Sequence, residues 1–298
     1  MTPLEFAARI ELPRLNWSTQ MEATQELEAG SFIRTPDPFA RPDAVRVVTW
    51  NVNRGQQLNE VIEFLAGASA DLILLQETDL NAQRTHGRNV AQEIARALAM
   101  NYVFGYEFEE LSQEQNGTRA YHGQATLSRF PILNSRILRF HCQSRFWLPR
   151  WFIPRIGPFQ RRLGGRMALI SCIDLPERKL IVYNVHLESR GDDVRCSQLS
   201  ELLDDVSRQA SDFQIVVAGD FNANLQHQPT AAAISKTGLS NPFACISSLP
   251  TTAPSRFHGS RTIDWILTKG PLMTFEPKLH NTVHASDHYP LSLMFRWK

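Results

Sequence analysis

Two stretches of the C-terminal half combine an apolar run with a short polar string. Four apolar residues at 215–218 lead into Gly219-Asp220-Phe221-Asn222, which predicts a buried strand that ends in a turn. Side chains two positions apart on an extended backbone project to the same side. Asp220 can therefore take a proton while Asn222 donates a hydrogen bond to the same substrate atom. The second stretch, Ser286-Asp287-His288, precedes another apolar run.

Apolar runs that end in polar residues recur along the rest of the chain. Strands are predicted at 45–53, 70–77, 102–108, 124–128, 166–175, 179–187, 214–220, 262–268, 272–277 and 289–297, and helices at 58–66, 89–100, 193–208 and 229–236. The two strands at 166–187 are separated only by a short turn and form an apparent hairpin. Many strands with a few interspersed helices indicate a sandwich of mixed sheets with helices outside.

The N-terminal segment has a different pattern. Residues 3–12 and 19–29 each predict a short helix, and prolines at 35–42 indicate a linker without regular structure. We therefore expect residues 1–43 to be an N-terminal extension with a Pro-rich linker, packed outside a single domain at 44–298.

Polar residues follow several predicted strands at the same kind of position. They are Asn51, Glu77, His186, Asp220 with Asn222, and Asp264. Turns often begin with Asn or Asp, so a turn is the simpler explanation for any one of them. The whole set predicts loops that converge on a functional site at one edge of the sandwich.

Composition constrains the compartment more than the function. The chain has 298 residues and a formal net charge of +1, with five lysines against many arginines. Arginine suits phosphate binding, although a GC-rich genome would give the same bias. The four cysteines are scattered without metal-ligand spacing, which is typical of reduced intracellular thiols. No signal peptide or membrane span is evident, so a cytoplasmic monomer is expected.

Taken together, the polar strings resemble the endonuclease/exonuclease/phosphatase superfamily (DNase I-like and exonuclease III-like enzymes). They are Trp50-Asn51, Gln76-Glu77, Asn184-Val185-His186-Leu187, Gly219-Asp220-Phe221-Asn222, Ile263-Asp264-Trp265 and Ser286-Asp287-His288, in the family's order and approximate spacing. Residues 123–131 also resemble a shared strand, with Gln124 where Asn is common. The resemblance implies a four-layer α/β/β/α sandwich of two mixed β-sheets flanked by helices, and divalent-metal-dependent hydrolysis of a phosphoester.

The resemblance also implies roles for individual residues. Glu77 is the main predicted ligand of Mg²⁺, with Asn51 and Asp287 beside it, and Mn²⁺ is a possible substitute. Asp220 is the predicted general base, and Asn222 a donor to a phosphoryl oxygen. His288 contacts the phosphoryl oxygen and is oriented by Asp264. His186 contacts the scissile phosphate or protonates the leaving group.

A basic segment offers candidate substrate-binding residues. Residues 115–173 contain ten arginines and no Asp or Glu, and aromatic residues alternate with arginines at 141–163. The aromatics can pack beneath an irregular arm with the arginines merely solvated. Alternatively, the arm binds nucleic acid or an anionic membrane surface. Candidate substrate contacts are Arg119, Arg150, Arg155, Arg162 and Arg190.

Three functions remain open at the level of sequence. The first is a nuclease or DNA-repair phosphodiesterase, and the second is a phosphoesterase of the same fold acting on a phospholipid headgroup or an inositol phosphate. The third is a non-catalytic binding module, which is disfavoured because no expected catalytic position is missing. His186-Leu187-Glu188-Ser189 and Arg190 resemble tyrosyl-DNA phosphodiesterases, which favours nucleic acid as the substrate.

Overall fold

The strands form two β-sheets that pack face to face. A computed structural model describes residues 26–33, 43–144, 162–176, 178–210, 213–245, 249–254 and 259–298. Within these ranges, thirteen strands divide into a sheet of eight and a sheet of five. Four α-helices and two short 3₁₀ helices, at Gln83–Thr85 and Pro242–Cys245, connect them.

The first sheet contains the N-terminal strands and the last two. Its strands are β1 (Leu27–Ser31), β2 (Val45–Arg54), β3 (Leu72–Leu80), β4 (Asn101–Glu110), β5 (Tyr121–Ser128), β7 (Arg162–Gly164), β12 (Leu272–Leu279) and β13 (Leu291–Trp297). The order is β1-β4-β5-β3-β2-β13-β12. β7 also pairs with β4, at residues 108–110, whereas β1 pairs with residues 101–105. β2 and β3 are parallel, so both place their C-terminal ends at one edge of the sheet.

The second sheet follows the order β11-β10-β9-β8-β6. Its strands are β6 (Ile132–Arg139), β8 (Met167–Leu175), β9 (Arg178–His186), β10 (Gln214–Asp220) and β11 (Asp264–Lys269). β8 and β9 form the predicted antiparallel hairpin, and β9 and β10 are parallel. The sheet therefore also collects the C-terminal ends of two parallel strands at one edge.

Alternating side chains along the strands account for the four layers. The helices are α1 (Leu58–Ala68), α2 (Val90–Ala97), α3 (Asp192–Arg208) and α4 (Thr230–Lys236). Leu72 and Leu74 of β3 belong to the core between the sheets, whereas Ile73 and Leu75 pack towards α1 and α2. The opposite sheet packs against α3 through residues such as Leu202. The predicted four-layer sandwich is confirmed.

The N-terminal prediction is wrong where the structure describes it. Residues 27–29 were expected in a helix, but Leu27–Ser31 is an edge strand that pairs antiparallel with 101–105 of β4. Sheet pairing outweighs helix propensity here, because β4 presents an edge that needs a partner. The sheet therefore extends beyond the expected boundary at residue 44. The predicted helix at 3–12 and the linker at 35–42 lie outside the described residues.

The strands β6 and β7 were not predicted from the sequence. β6 and β7 carry mixed polar and apolar residues without a clear period, and β7 has only three residues. Pairing with β8 and β4, respectively, makes them strands.

None of the helices in the described ranges has both the length and the apolar composition needed to cross a membrane.

Gly219 is required at the end of β10. Its φ is +144°, and a Cβ added there would lie 2.0 Å from the carbonyl oxygen of Val185 on β9. We expect Gly219→Ala to destabilise the protein by about 1–3 kcal/mol, because backbone atoms must shift. Urea unfolding measures the difference. Gly67→Ala in α1 is the control, since a Cβ there meets nothing within 4 Å. Equal unfolding midpoints for the two variants would contradict this assignment.

Candidate active site

Three predicted catalytic residues lie side by side across the second sheet. His186 of β9 is opposite Asp220 of β10, and Asp264 of β11 is opposite Asp220 on the other side. Residues opposite each other on neighbouring strands share a face of the sheet. All three side chains are buried. The register of the strands therefore brings these residues together.

The first sheet supplies the facing wall. Val45 and Val47 of β2 lie in the core between the sheets, whereas Val48 and Trp50 pack towards the helices. The two-residue period of a strand places Asn51 on the inner face, with Val45 and Val47. Nδ2 of Asn51 donates to Oδ2 of Asp220 at 3.2 Å. Asn51 thus joins the two sheets at the site.

Two buried amides hold the sheets together beneath the site. Nε2 of Gln76 on β3 donates to Oδ1 of Asn184 on β9 at 2.8 Å. Nδ2 of Asn184 donates to the carbonyl oxygens of Leu75 and Ala125 at 3.0 and 2.9 Å. Buried amides with several partners fix a geometry that apolar contacts leave free to slide. Gln76 and Asn184 therefore set the distance between the strand ends that carry Glu77 and His186.

The Asp220 carboxylate lies at the centre of the site. Oδ1 accepts a hydrogen bond from the backbone N–H of Asn222 at 2.8 Å. Oδ2 lies 3.7 Å from Nε2 of His186 and 3.8 Å from Nε2 of His288. One oxygen is thereby fixed by the turn, and the other faces two histidines and the Asn51 amide. This arrangement suits a carboxylate that orients a reacting group.

Asn222 occupies the turn after β10 in a left-handed conformation, with φ at +51°. Its Nδ2 donates to the carbonyl oxygen of Leu187 at 3.1 Å. That bond takes one of the two N–H groups of the amide. Asn222 is buried, but it does not continue the extended backbone from which the sequence predicted a shared side with Asp220, because β10 ends at Asp220.

His288 is oriented by Asp264, as predicted. Nδ1 of His288 lies 2.9 Å from Oδ2 of Asp264, and the hydroxyl of Thr251 donates to the same oxygen at 2.6 Å. The indole N–H of Trp50 donates to the carbonyl oxygen of His288 at 2.8 Å. Burial by itself lowers the pKa of His288, but Asp264 and Asp220 outweigh it and raise the pKa to about 10. The two carboxylates therefore favour the protonated form of His288.

Asp264→Asn should lower kcat/KM for a small activated phosphodiester by about 10²-fold, because His288 loses the charge that stabilises its cationic form. The pKa of His288 should fall, so activity should be lost at a lower pH than in the wild type as the pH rises. A pH–rate profile measures both effects. A loss as large as that of Asp220→Asn, together with unfolding, would make Asp264 a structural residue.

His186 forms a second histidine–carboxylate pair, with Glu107, and Arg166 contacts both residues. The sequence did not single out Glu107 or Arg166. Nδ1 of His186 lies 3.3 Å from Oε2 of Glu107 on β4. Nη1 of Arg166 donates to Oε1 of Glu107 at 2.5 Å and lies 2.8 Å from Nδ1 of His186. Burial by itself raises the pKa of Glu107, but Arg166 and His186 lower it to about 2. The available signal was a carboxylate inside the otherwise apolar run of β4.

Glu77 lies at an irregular point of β3. The pairing of β3 with β5 shifts register between Leu75 and Thr78, and Glu77 has a positive φ of +52°. Such bulges redirect side chains at the rim of a site. The Glu77 side chain is 21% exposed, and its closest ion-pair partner in the described residues is Nη2 of Arg54, at 3.9 Å. Burial opposes ionisation, but His122 and Arg54 hold the pKa of Glu77 well below its usual range.

The predicted metal ligands come from neighbouring segments around the end of β2. Gln76, which precedes Glu77, is the strand partner of Asn51. The hydroxyl of Ser286, which precedes Asp287, donates to the backbone carbonyl of Asn51 at 2.7 Å. Glu77 and the exposed Asp287 offer carboxylate oxygens, and Asn51 offers an amide oxygen. Mg²⁺ prefers oxygen ligands, so the donor types of this set match the predicted ion.

Another group of potential ligands lies deeper in the site. Ligand atoms of Asp220, Asp264 and His288 lie within 4.8 Å of one another. Nδ1 of His288 is hydrogen-bonded to Asp264, and the charges of Asp264 and Asp220 favour the protonated ring. A histidine must lose its proton before it binds a metal ion.

The predicted substrate-binding arginines are only partly described. Arg119 is exposed beside Glu109, Arg162 lies on β7, and Arg190 is exposed in the connection from β9 to α3. Arg150 and Arg155 lie outside the described residues, as does most of the aromatic arm.

Solved structures of low sequence identity share the fold. The human Nocturnin catalytic domain with bound sulfate is 18% identical, with a TM-score of 0.64 and coverage of 91% of this chain and 98% of the other. D. rerio TDP2 in complex with a single-strand DNA product is 17% identical, with a TM-score of 0.58 and coverage of 86% and 100%. A mannosyl-6-phosphatase from Bacteroides thetaiotaomicron is 16% identical, with a TM-score of 0.57 and coverage of 85% and 100%.

Sequence comparison identifies the family. A search of curated proteins gives no match. The model of the Endonuclease/Exonuclease/phosphatase family matches residues 48–288, which span every motif from Trp50 to His288. The chain therefore belongs to the Endonuclease/Exonuclease/phosphatase family, whose members are generally phosphoester hydrolases of this fold.

Proposed function

We propose that this protein is a divalent-metal-dependent phosphodiester hydrolase that acts on nucleic acid. The observation that carries the proposal is the position of Asp220. Its Oδ2 faces both His186 and His288, and each histidine has a second carboxylate behind it. A binding module has no need for two oriented histidines around one buried carboxylate, so we assign catalysis to this arrangement.

Asp220 is the proposed general base. The attacking water gives its proton to Oδ2 of Asp220 while its oxygen forms a bond to phosphorus. Oδ1 is held by the backbone N–H of Asn222, so the carboxylate cannot rotate away from the substrate. The Asn51 amide fixes Oδ2 from the facing sheet.

Two groups stabilise the negative charge that develops on the phosphoryl oxygens. His288 donates from Nε2, since its Nδ1 is bound to Asp264. The second N–H of Asn222 donates to another oxygen, because the first is bound to Leu187. Both donors are held in place before the substrate binds, which avoids the cost of reorganisation.

His186 is the proposed acid for the leaving group. Its Nε2 lies 3.7 Å from Oδ2 of Asp220, Glu107 lies 3.3 Å from Nδ1, and Nη1 of Arg166 lies 2.8 Å from both ring nitrogens. As the bond from phosphorus to the leaving oxygen breaks, His186 supplies the proton to that oxygen. Glu107 and Arg166 act through His186 and are positioning residues.

Glu77, Asn51 and Asp287 would hold the divalent cation. When bound, this ion neutralises the phosphate oxygens and lowers the pKa of water. The partly exposed Glu77 carboxylate is already ionised, because nearby cations depress its pKa. The chain therefore presents a charged ligand without having to remove a proton first.

Nucleic acid is the favoured substrate for two reasons. Arg119 before β5, Arg162 on β7 and Arg190 after β9 would supply positive charge for a phosphate backbone. A structural neighbour, D. rerio TDP2, is in complex with a single-strand DNA product, and residues 186–190 resemble tyrosyl-DNA phosphodiesterases. A cytoplasmic location and a monomeric state remain part of the proposal.

An activity panel tests the substrate class. The purified protein is assayed with Mg²⁺ and with Mn²⁺ on single- and double-stranded DNA, RNA, 5′-tyrosyl DNA, sphingomyelin and inositol phosphates. We expect metal-dependent cleavage of at least one nucleic acid and abolition by EDTA. Hydrolysis confined to sphingomyelin or inositol phosphates would overturn the nucleic-acid assignment. Binding to DNA or anionic vesicles without any hydrolysis would indicate a non-catalytic module.

A further inference from the structure

A second cluster of charged residues lies beside the site, on the first sheet. Arg84 follows β3 and donates to both carboxylate oxygens of Asp79, at 2.6 and 2.7 Å. Its Nη1 also donates to Oε1 of Glu110 at 3.1 Å. Nε of Arg162 lies 2.9 Å from that same oxygen. Two guanidinium groups are therefore held next to each other by one buried carboxylate oxygen.

The position of Arg162 is fixed on several sides. β7 pairs with β4 so that Arg162 is opposite Glu110. The guanidinium lies over the ring of Phe108 at 4.7 Å, and that ring stacks on His122 at 4.6 Å. Nδ1 of His122 in turn lies 2.8 Å from Asp79. A planar cation held in this way loses little conformational entropy when it binds an anion.

This cluster adjoins the proposed metal ligand. Asp79 is two residues after Glu77 on β3, and Arg54 at the end of β2 lies 3.9 Å from Glu77. Arg162 is therefore linked to the strand end that carries Glu77 through Glu110, Arg84 and Asp79.

The charge balance favours an anionic ligand at this place. Arg54 and Arg162 are 29% and 23% exposed, whereas Asp79 and Glu110 are buried; Asp79 binds Arg84, and Glu110 binds both Arg84 and Arg162. Among the described ion pairs, Glu77 is the only carboxylate partner of Arg54. In the proposed enzyme Glu77 binds the divalent cation, so its negative charge no longer compensates the charge of Arg54. Guanidinium groups bind phosphate through paired N–H donors. Positive charge thus faces the cleft, and negative charge lies beneath it.

We propose that Arg162, together with Arg54 next to Glu77, forms a subsite for a second phosphate of the substrate, next to the scissile one. Arg84, Asp79, Glu110 and Phe108 are the rigid base of this subsite. The favoured substrates then carry two phosphates in succession, as an internal nucleotide or a phosphorylated chain end does. This inference rests on the proposed function, because the scissile phosphate occupies the Asp220 site.

Hydrolysis of short thymidine substrates tests the subsite. TpT carries one phosphate, pTpT adds a terminal phosphate and TpTpT adds an internal one. We expect the wild type to cleave pTpT, TpTpT or both with a kcat/KM about tenfold higher than TpT, which corresponds to one charged hydrogen-bonding group. The advantage should disappear in Arg162→Gln, chiefly through KM, and be partly retained in Arg162→Lys. A gain with pTpT alone identifies a terminal phosphate, and a gain with TpTpT identifies the backbone.

The matched control is Arg129→Gln, which replaces an exposed arginine beside Asp71, at the opposite end of β3. It should keep the full advantage of two phosphates. An equal advantage in Arg162→Gln, or none in the wild type, would overturn the subsite. Circular dichroism of each variant shows whether it is folded.

A binding measurement separates failure of the subsite from failure of the proposed function. Thymidine 3′,5′-bisphosphate and thymidine 5′-monophosphate are titrated calorimetrically into the wild type and Arg162→Gln. The bisphosphate should bind about tenfold more tightly to the wild type alone. If no nucleotide is hydrolysed, the proposed function fails. The ratio of the two nucleotide affinities still shows whether Arg162 binds a second phosphate. An identical ratio in the two proteins would refute it.

Discussion

Glu77→Gln should lose at least about 10³-fold in kcat at low Mg²⁺ while the protein stays folded. The substitution removes one negative charge from the proposed cation site and barely changes the shape of the side chain. A bound cation contributes several kcal/mol of transition-state stabilisation, and each 1.36 kcal/mol is tenfold in rate. Glu77 is not part of the apolar core, so the unfolding midpoint should change little.

Cation titration distinguishes a lost ligand from a lost catalytic group. Because the affinity for the ion falls, activity of Glu77→Gln should be partly recovered at high Mg²⁺ or with Mn²⁺. Glu60→Gln on the exposed face of α1 is the control and should behave as the wild type. Near-normal activity of Glu77→Gln at low Mg²⁺ would eliminate Glu77 as the principal ligand.

Asp220→Asn should abolish hydrolysis, by about 10³–10⁴-fold, while substrate still binds. An amide of the same shape cannot accept the proton of the attacking water, and general-base catalysis contributes up to about 10⁴-fold. Asp220 also raises the pKa of His288, so the variant weakens the neighbouring cation. Single-turnover kinetics measures the chemical step, and equilibrium binding of a short oligonucleotide measures the affinity.

The control for Asp220→Asn is Asp204→Asn, an exposed carboxylate of α3. It should leave both rate and affinity unchanged. High Mg²⁺ should not rescue Asp220→Asn, in contrast to Glu77→Gln, because the missing group is a base. Substantial turnover in Asp220→Asn, or full rescue by the metal, would move the general base elsewhere.

The sequence indicates the fold class because the signals for it are local. Apolar runs such as 215–218 predict strands, and the helical spacing at 193–208 predicts α3, without knowledge of their neighbours. β1 shows the limit of local signals. Leu27–Ser31 is a strand because β4 offers an unpaired edge, and nothing within those five residues reports that edge.

Part of the site can be predicted for the same reason. Asp220 and Asn222 follow one strand, and Asp287 and His288 adjoin another, so short strings contain chemically paired residues. The partnership of Asp264 with His288 was implied by family resemblance, and the structure places them 2.9 Å apart. Their sequence separation of 24 residues gives no such information by itself.

The sequence by itself determined most of the strands, the polar residues at their ends and the family motifs, because each depends on neighbours a few positions away. Only the tertiary structure decided which buried charges meet. Glu107 and His186 are 79 residues apart, and Arg166 joins them only because β4, β8 and β9 come together. Burial makes such partners necessary, since an unpaired charge in the interior is costly. The register of two packed sheets, which no local pattern encodes, determines which partner each charge finds.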